Sequence, residues 1–110
     1  MPVATALKVE ALAADFRSQR RLAAALGVSP AQITRWTRGR GIDPENADRV
    51  DLLELAMSYL SRLYEPETVE RWLFGVNPHL RNRRPIDLIR AGRTEELLAA
   101  LRQERAGSFA

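Results

Sequence analysis

The 110-residue chain contains no cysteine, which excludes a disulfide framework and thiolate metal sites and leaves packing as the source of stability. Histidine occurs once, at His79, directly after Pro78 and without a neighbouring carboxylate pair, so the usual sets of nucleophile, base and metal ligand are missing. There is no glycine-rich phosphate loop, and the spacing of Glu45, Asp48, Asp51 and Glu54 reads as a solvated helix face. Neither catalysis, nor a cofactor, nor a metal is expected. No run approaches the roughly 18 apolar residues of a membrane span, and Lys8 and Glu10 interrupt the stretch where a secretion signal would need an unbroken apolar core. A cytoplasmic protein without membrane contact is the expectation. Alternation of β-branched and polar residues is also absent, which removes half-buried strands.

What remains is Ala, Leu, Arg and Glu at helical spacing, so the fold class read from the sequence is all-α. With 45% hydrophobic and 28% charged residues the chain has the balance of a globular protein rather than a disordered one. The formal charge is +3, but it is unevenly spread: Arg17, Arg20, Arg21, Arg35, Arg38 and Arg40 fall in a stretch without a single Asp or Glu. Such a local basic face attracts phosphates even when the net charge is modest.

Punctuation residues divide the chain. A first helix over about Ala4 to Ala14 places Leu7, Ala11 and Ala14 on one side, and Ser18 suits the cap of a second helix, Gln19 to Leu26, that exits at Gly27. Ser29, Pro30 and Gln32 have capping-box spacing and open a third helix that runs to about Arg38. Gly39-Arg40-Gly41 breaks the pattern, and Asp43-Pro44 starts a long fourth helix. Two apolar rows run along it: Val50, Leu53, Met57, Leu60 and Tyr64, and beside them Leu52, Ala56, Tyr59 and Leu63. Burial on two sides, with a role in dimerisation, is the expectation for this segment. Pro66 begins a short amphipathic helix through Val69, Trp72, Leu73 and Phe74 that stops near Gly75, and Asn77-Pro78 opens a loop. Pro85 starts a further short helix ended by Gly92, and Thr94 is the expected cap of a last helix closed by Gly107. The expected organisation is a helix-turn-helix unit over 1–42, a connecting and dimerising helix over 43–65, and a small helical module over 66–110.

The segment Gln19 to Arg38 has the layout of a helix-turn-helix. Ala23 is small where two helices cross, Gly27 turns the chain, and Leu22, Leu26, Val28, Ile33 and Trp36 supply an apolar wedge. Trp36 shares a face with Ile33 and is expected in the core. Side chains pointing away from that wedge are Gln32, Thr34, Arg35 and Arg38, with Ser29 at the start of the helix. Gln32 and Arg35 suit base edges, and Arg20, Arg21 and Arg40 suit phosphates. The bland alternative is a three-helix unit with a solvated arginine face, since fold does not fix function.

In the second half, Trp72-Leu73, Asn77-Pro78, Leu80, Arg83-Arg84-Pro85, Asp87-Leu88, Gly92, Leu97, Leu101 and Gly107 resemble, in order and spacing, the C-terminal domain of the Xre/MbcA/ParS antitoxins. Together with the upstream helix-turn-helix, the whole chain is similar to that family. The resemblance implies an antitoxin of a type II toxin-antitoxin pair, whose partner is an NAD-consuming RES-domain toxin encoded by the adjacent gene. It further implies that the chain end obstructs the toxin's pocket, a role that falls here on Gly107, Ser108, Phe109 and Ala110, with Arg102 and Arg105 in support. Phe109 after a glycine link suits the filling of an apolar pocket. Arg81, Arg83 and Arg84 read either as a solvated loop or as contacts to an acidic toxin surface. The helix-turn-helix adds operator DNA as an expected second ligand, and the two apolar rows of the fourth helix suit a homodimer or a larger toxin-antitoxin hetero-oligomer. The rival reading is a stand-alone dimeric transcription regulator, which needs two-fold symmetry to read a palindrome but has no evident use for Phe109.

Overall fold

A computed structural model describes the backbone of residues 2–108 and the side chains of residues 5–107. Among the described residues there are seven α-helices and no named strand: α1 (Pro2–Asp15), α2 (Gln19–Leu26), α3 (Pro30–Thr37), α4 (Pro44–Ser61), α5 (Pro66–Phe74), α6 (Pro85–Ala91) and α7 (Thr94–Ser108). A single 3-10 turn covers Pro78–Leu80. The chain forms two compact units, residues up to Glu54 and residues from Leu55 onward, so the boundary falls inside α4.

In the first unit α1, α2 and α3 pack on one another. The boundaries follow from local chemistry. Ser18 accepts from the Arg21 N–H to cap α2. Gly27 takes the left-handed backbone, φ 73°, from which Val28 N–H reaches back to Ala23 O at 3.0 Å. Ser29 Oγ accepts from Gln32 N–H at 3.2 Å while Gln32 Oε1 accepts from Ser29 N–H at 2.9 Å, which completes the capping box. Asp43 Oδ1 accepts from Asn46 N–H at 2.7 Å and starts α4.

The expected wedge is buried: Leu22, Ala23, Leu26, Ile33 and Trp36 are in the core, with Val28 half-buried. Full burial of one such Leu or Ile is worth about 1.5–3 kcal/mol relative to exposure. The first helix differs from expectation. It begins at Pro2, and its buried side is Val9 and Leu12, while Leu7 is 60% exposed and Ala11 and Ala14 also face solvent. Two rows at helical spacing compete on α1, and the β-branched Val9 with Leu12 fills more core volume than two alanines. Lys8, the sole lysine, lies between them and pairs with Asp51 of α4 at 2.9 Å.

The second unit packs α5 on α6, α6 on α7, and the 3-10 turn on α7. Leu80, Leu88 and Ala100 form a buried cluster against which Trp72 packs. The loop opened by Asn77-Pro78 is a stiff frame. Asn77, itself buried, accepts from His79 N–H through Oδ1 and from Leu80 and Asn82 N–H through its carbonyl, and it bridges to Arg83. Arg81 and Asn82 both adopt the left-handed region there, φ 58° and 62°, a costly pair of conformations that the surrounding bonds hold in place.

Two helix ends differ from the expectation. Thr94 is the first residue of α7 rather than its cap, and the carbonyl of Arg93 accepts the Leu97 N–H. Gly107 does not close α7, which runs on through Ser108. Gly27 and Gly92 end their helices by turning into left-handed backbone and Gly75 ends α5 in extended backbone, whereas Gly107 stays helical. Along α4, which ends at Ser61 rather than running to 65, Val50, Leu53 and Leu60 of one apolar row and Leu52 and Ala56 of the other are buried within the chain and Met57 and Tyr59 are half-buried, while Leu63 and Tyr64, also half-buried, lie in the turn after it.

Candidate functional site

The helix-turn-helix of α2 and α3 brings the expected basic residues to the surface. Arg20, Arg21, Arg35, Arg38 and Arg40 are exposed, as are Arg17 and the cap Ser29. None of these six arginines has a carboxylate partner among the described residues. In the second unit four arginines are paired. Arg84 forks onto Asp87 with both bonds at 2.9 Å, Arg90 adds a longer contact to Asp87, and Arg83 and Arg93 converge on Glu96. Hydrogen bonds from Arg84, and from Arg83 and Arg93, hold the carboxyls of Asp87 and Glu96 below the usual carboxylate range. The helix-turn-helix thus carries six arginines without a carboxylate partner in a stretch that holds no Asp or Glu, a charge pattern suited to phosphate binding, while Arg62, Arg71, Arg81 and Arg102 of the second unit also lack one among the described residues.

Two of the expected base-facing residues have internal duties. Gln32 commits Oε1 to the capping box, so its amide N–H2 is the group left to donate to a ligand. Thr34 Oγ1 lies 2.8 Å from Gln19 Oε1 and also reaches Pro30 O at 3.2 Å. Gln19 was not legible as a site residue, although its place at the first position of α2 is the signal that could have found it. Arg35 stands without such duties, close to Gly41, which takes the left-handed backbone at φ 73°.

The residues expected to meet a toxin lie at the end of α7. Arg102, Arg105 and Gly107 are exposed, and Ser108 continues the helix. Phe109 and Ala110 lie outside the described residues. Arg105 also lines a groove with Tyr59, Arg62 and Leu63 of the α4 end and the turn after it, a grouping that sequence reasoning missed. Beside it, Tyr64 donates its hydroxyl to Glu104, a bond that pushes the phenol up to about 12. Arg81 is exposed, whereas Arg83 and Arg84 are consumed within the chain. Among the described residues no three His, Asp or Glu side chains gather as a metal site, and no helix is long and apolar enough to cross a membrane.

A helix-turn-helix family model matches residues 17–51, which contain α2, α3 and the start of α4. The chain is 31% identical over 83 residues, 74% of its length and 73% of the relative's, to the mycobacterial cidal antitoxin MbcA of Mycobacterium tuberculosis and of Mycobacterium bovis. It is 32% identical over 101 residues, 92% of its length and 87% of the relative's, to a probable mycobacterial cidal antitoxin of Mycobacterium tuberculosis. The chain belongs to the MbcA antitoxin family. A match of 101 residues in a chain of 110 necessarily runs through both units, so the likeness is not that of the helix-turn-helix alone. Membership of the MbcA family and a helix-turn-helix of the DNA-binding kind point to a binding protein rather than a catalyst. No solved structure matches the chain.

Proposed function

We propose that this chain neutralises a RES-domain, NAD-consuming toxin encoded beside it, and that it represses its own operon through α2 and α3. The observation that carries the reading is the 32% identity to an antitoxin over 92% of the chain, through both units. In this reading Arg102, Arg105 and Gly107 to Ala110 contact the toxin and obstruct its active site, with Phe109 entering an apolar pocket. Arg35 reads a guanine edge in the major groove, Gln32 donates its amide N–H2 to a base acceptor, and Arg20, Arg21, Arg38 and Arg40 contact phosphates, with Ser29 and Thr34 at the same surface. The DNA-bound form is a homodimer or part of a larger hetero-oligomer with toxin, because a palindromic operator demands two copies of α3.

The test is co-expression with the neighbouring open reading frame, following growth and intracellular NAD. The intact chain is expected to keep growth and NAD normal, and a chain lacking Gly107 to Ala110 is expected to let both fall. A neighbour that is harmless when expressed alone would sink the antitoxin reading and leave a stand-alone dimeric regulator.

A further inference from the structure

The turn between α5 and α6 holds two left-handed residues side by side, Arg81 at φ 58° and Asn82 at φ 62°. Asparagine tolerates that region, whereas arginine is strained there and glycine would not be. The backbone bonds that hold the turn would be the same with glycine, so they do not account for the arginine. Its side chain is exposed and has no hydrogen-bond or ion-pair partner among the described residues. Strain that a side chain's own contacts do not offset points to a side chain held for a partner. Among the described residues the only other arginine with such backbone is Arg17, in the basic stretch of the helix-turn-helix.

The frame around Arg81 is pinned at both ends. Gly75 lies so close to α5 that a Cβ there would meet Arg71 O at 2.7 Å, Asn77 bridges to Arg83, and Arg83 bonds Glu96 of α7. On this frame Val76 is 68% exposed, the most exposed of the large apolar side chains among the described residues. No Asp or Glu occurs from Gly75 to Ile86. The loop therefore offers an apolar side chain and an unpaired cation on preorganised backbone, which lowers the entropy cost of docking. A DNA backbone would want a row of cations, and a two-fold contact between copies centred on this loop would bring like charges together. An acidic protein surface with a shallow apolar seat is the better complement. Position favours the toxin: Leu80 clusters with Ala100 of α7, and Ala100 lies about 12 Å from Ser108 along the helix axis at 1.5 Å per residue. One interface of about 800 Å² per partner spans both the loop and the chain end.

We propose that the loop from Val76 to Asn82 is a second toxin-docking element, with Arg81 pairing with a carboxylate of the toxin and Val76 entering an apolar seat. The proposal rests on the antitoxin reading and deepens it by naming a contact away from the chain end.

The experiment measures the affinity of the purified full-length chain for a catalytically silenced toxin, together with the melting temperature of the chain alone. Arg81→Gly is expected to move the two in opposite directions, raising the melting temperature by a few degrees as the backbone relaxes and weakening toxin binding by about tenfold or more as the cation is lost. Asn82→Gly relieves the same kind of backbone without removing a charge, and is expected to melt higher while binding within about threefold of the parent. Affinity of Arg81→Gly within that same range overturns the loop contact while leaving the antitoxin reading intact. Equal losses of affinity in the two variants overturn it as well, because they trace the effect to the backbone rather than to the side chain. A fall in melting temperature on Arg81→Gly removes the strain on which the proposal stands. A parent chain that does not bind the toxin overturns the antitoxin reading itself. Loss of self-association by Arg81→Gly, with toxin affinity unchanged, overturns the toxin as occupant and assigns the loop to a second copy.

Discussion

Arg35 and Arg20 carry the same charge in different settings. Arg35 projects from α3 beside Gly41, without an acidic partner, and Arg20 lies in the first turn of α2, at the edge of the same surface. If α3 enters a major groove, the first reads a base and the second holds a phosphate. Arg35→Ala is then expected to cost about 1–3 kcal/mol on the cognate operator and little on unrelated DNA. Arg20→Ala should weaken both sequences alike and lower the magnitude of the salt slope by about one. Salt-dependent binding titrations on cognate and scrambled duplexes check this, and identical behaviour of the two variants would remove the distinction. Gln32 illustrates what sequence reading misses at this scale. Its type suits adenine, but its oxygen already serves Ser29, and that competition appears only once the cap is formed.

At the scale of elements, the helices of the first unit were legible because their ends are written in adjacent residues. Ser18, Gly27, Ser29 with Pro30 and Gln32, and Asp43 with Pro44 each act within four residues of where they stand. The face of α1 was not legible, because Leu7-Ala11-Ala14 and Val9-Leu12 both have helical spacing and only the packing of α2 and α3 chooses between them. The groove residues were missed for a related reason, since Arg105 is some forty positions from Tyr59, Arg62 and Leu63 and meets them through tertiary packing. The end of α7 carries a prediction. Gly107 is helical, and a Cβ there would meet nothing within 4 Å. Gly107→Ala should therefore stabilise the last turn by up to about 1 kcal/mol, read as slower amide exchange over residues 104–108, and unchanged exchange there would contradict it. Loss of neutralisation on that substitution would instead reveal a glycine hinge that the helix conceals.

For the whole molecule, the two units respond to acid with opposite signs. Asp87 and Glu96 have carboxyls lowered by their arginines, so the stability they contribute is present above the unfolded values and lost as the pH falls through the folded ones. In the first unit partial burial raises Asp15, so its contribution is present at low pH and lost as the pH rises. From about pH 4.5 downward, the second unit is expected to loosen before the first. The two tryptophans report separately, Trp36 from the first unit and Trp72 from the second. In an acid titration followed by indole N–H resonances, Trp72 should shift at the higher pH, and simultaneous loss of both signals would contradict the ordering.

The boundary inside α4 also bears on how such proteins exchange parts. Where domains meet at a loop, recombination trades one for another and the loop absorbs any mismatch in length. Here no loop lies between Glu54 and Leu55, so every crossover must preserve helical phase. One inserted residue turns everything after it by about 100° about the axis of α4. Relatives that trade DNA-reading units are therefore restricted to splices that keep the residue count of α4, and length variation should collect outside the segment Pro44–Ser61.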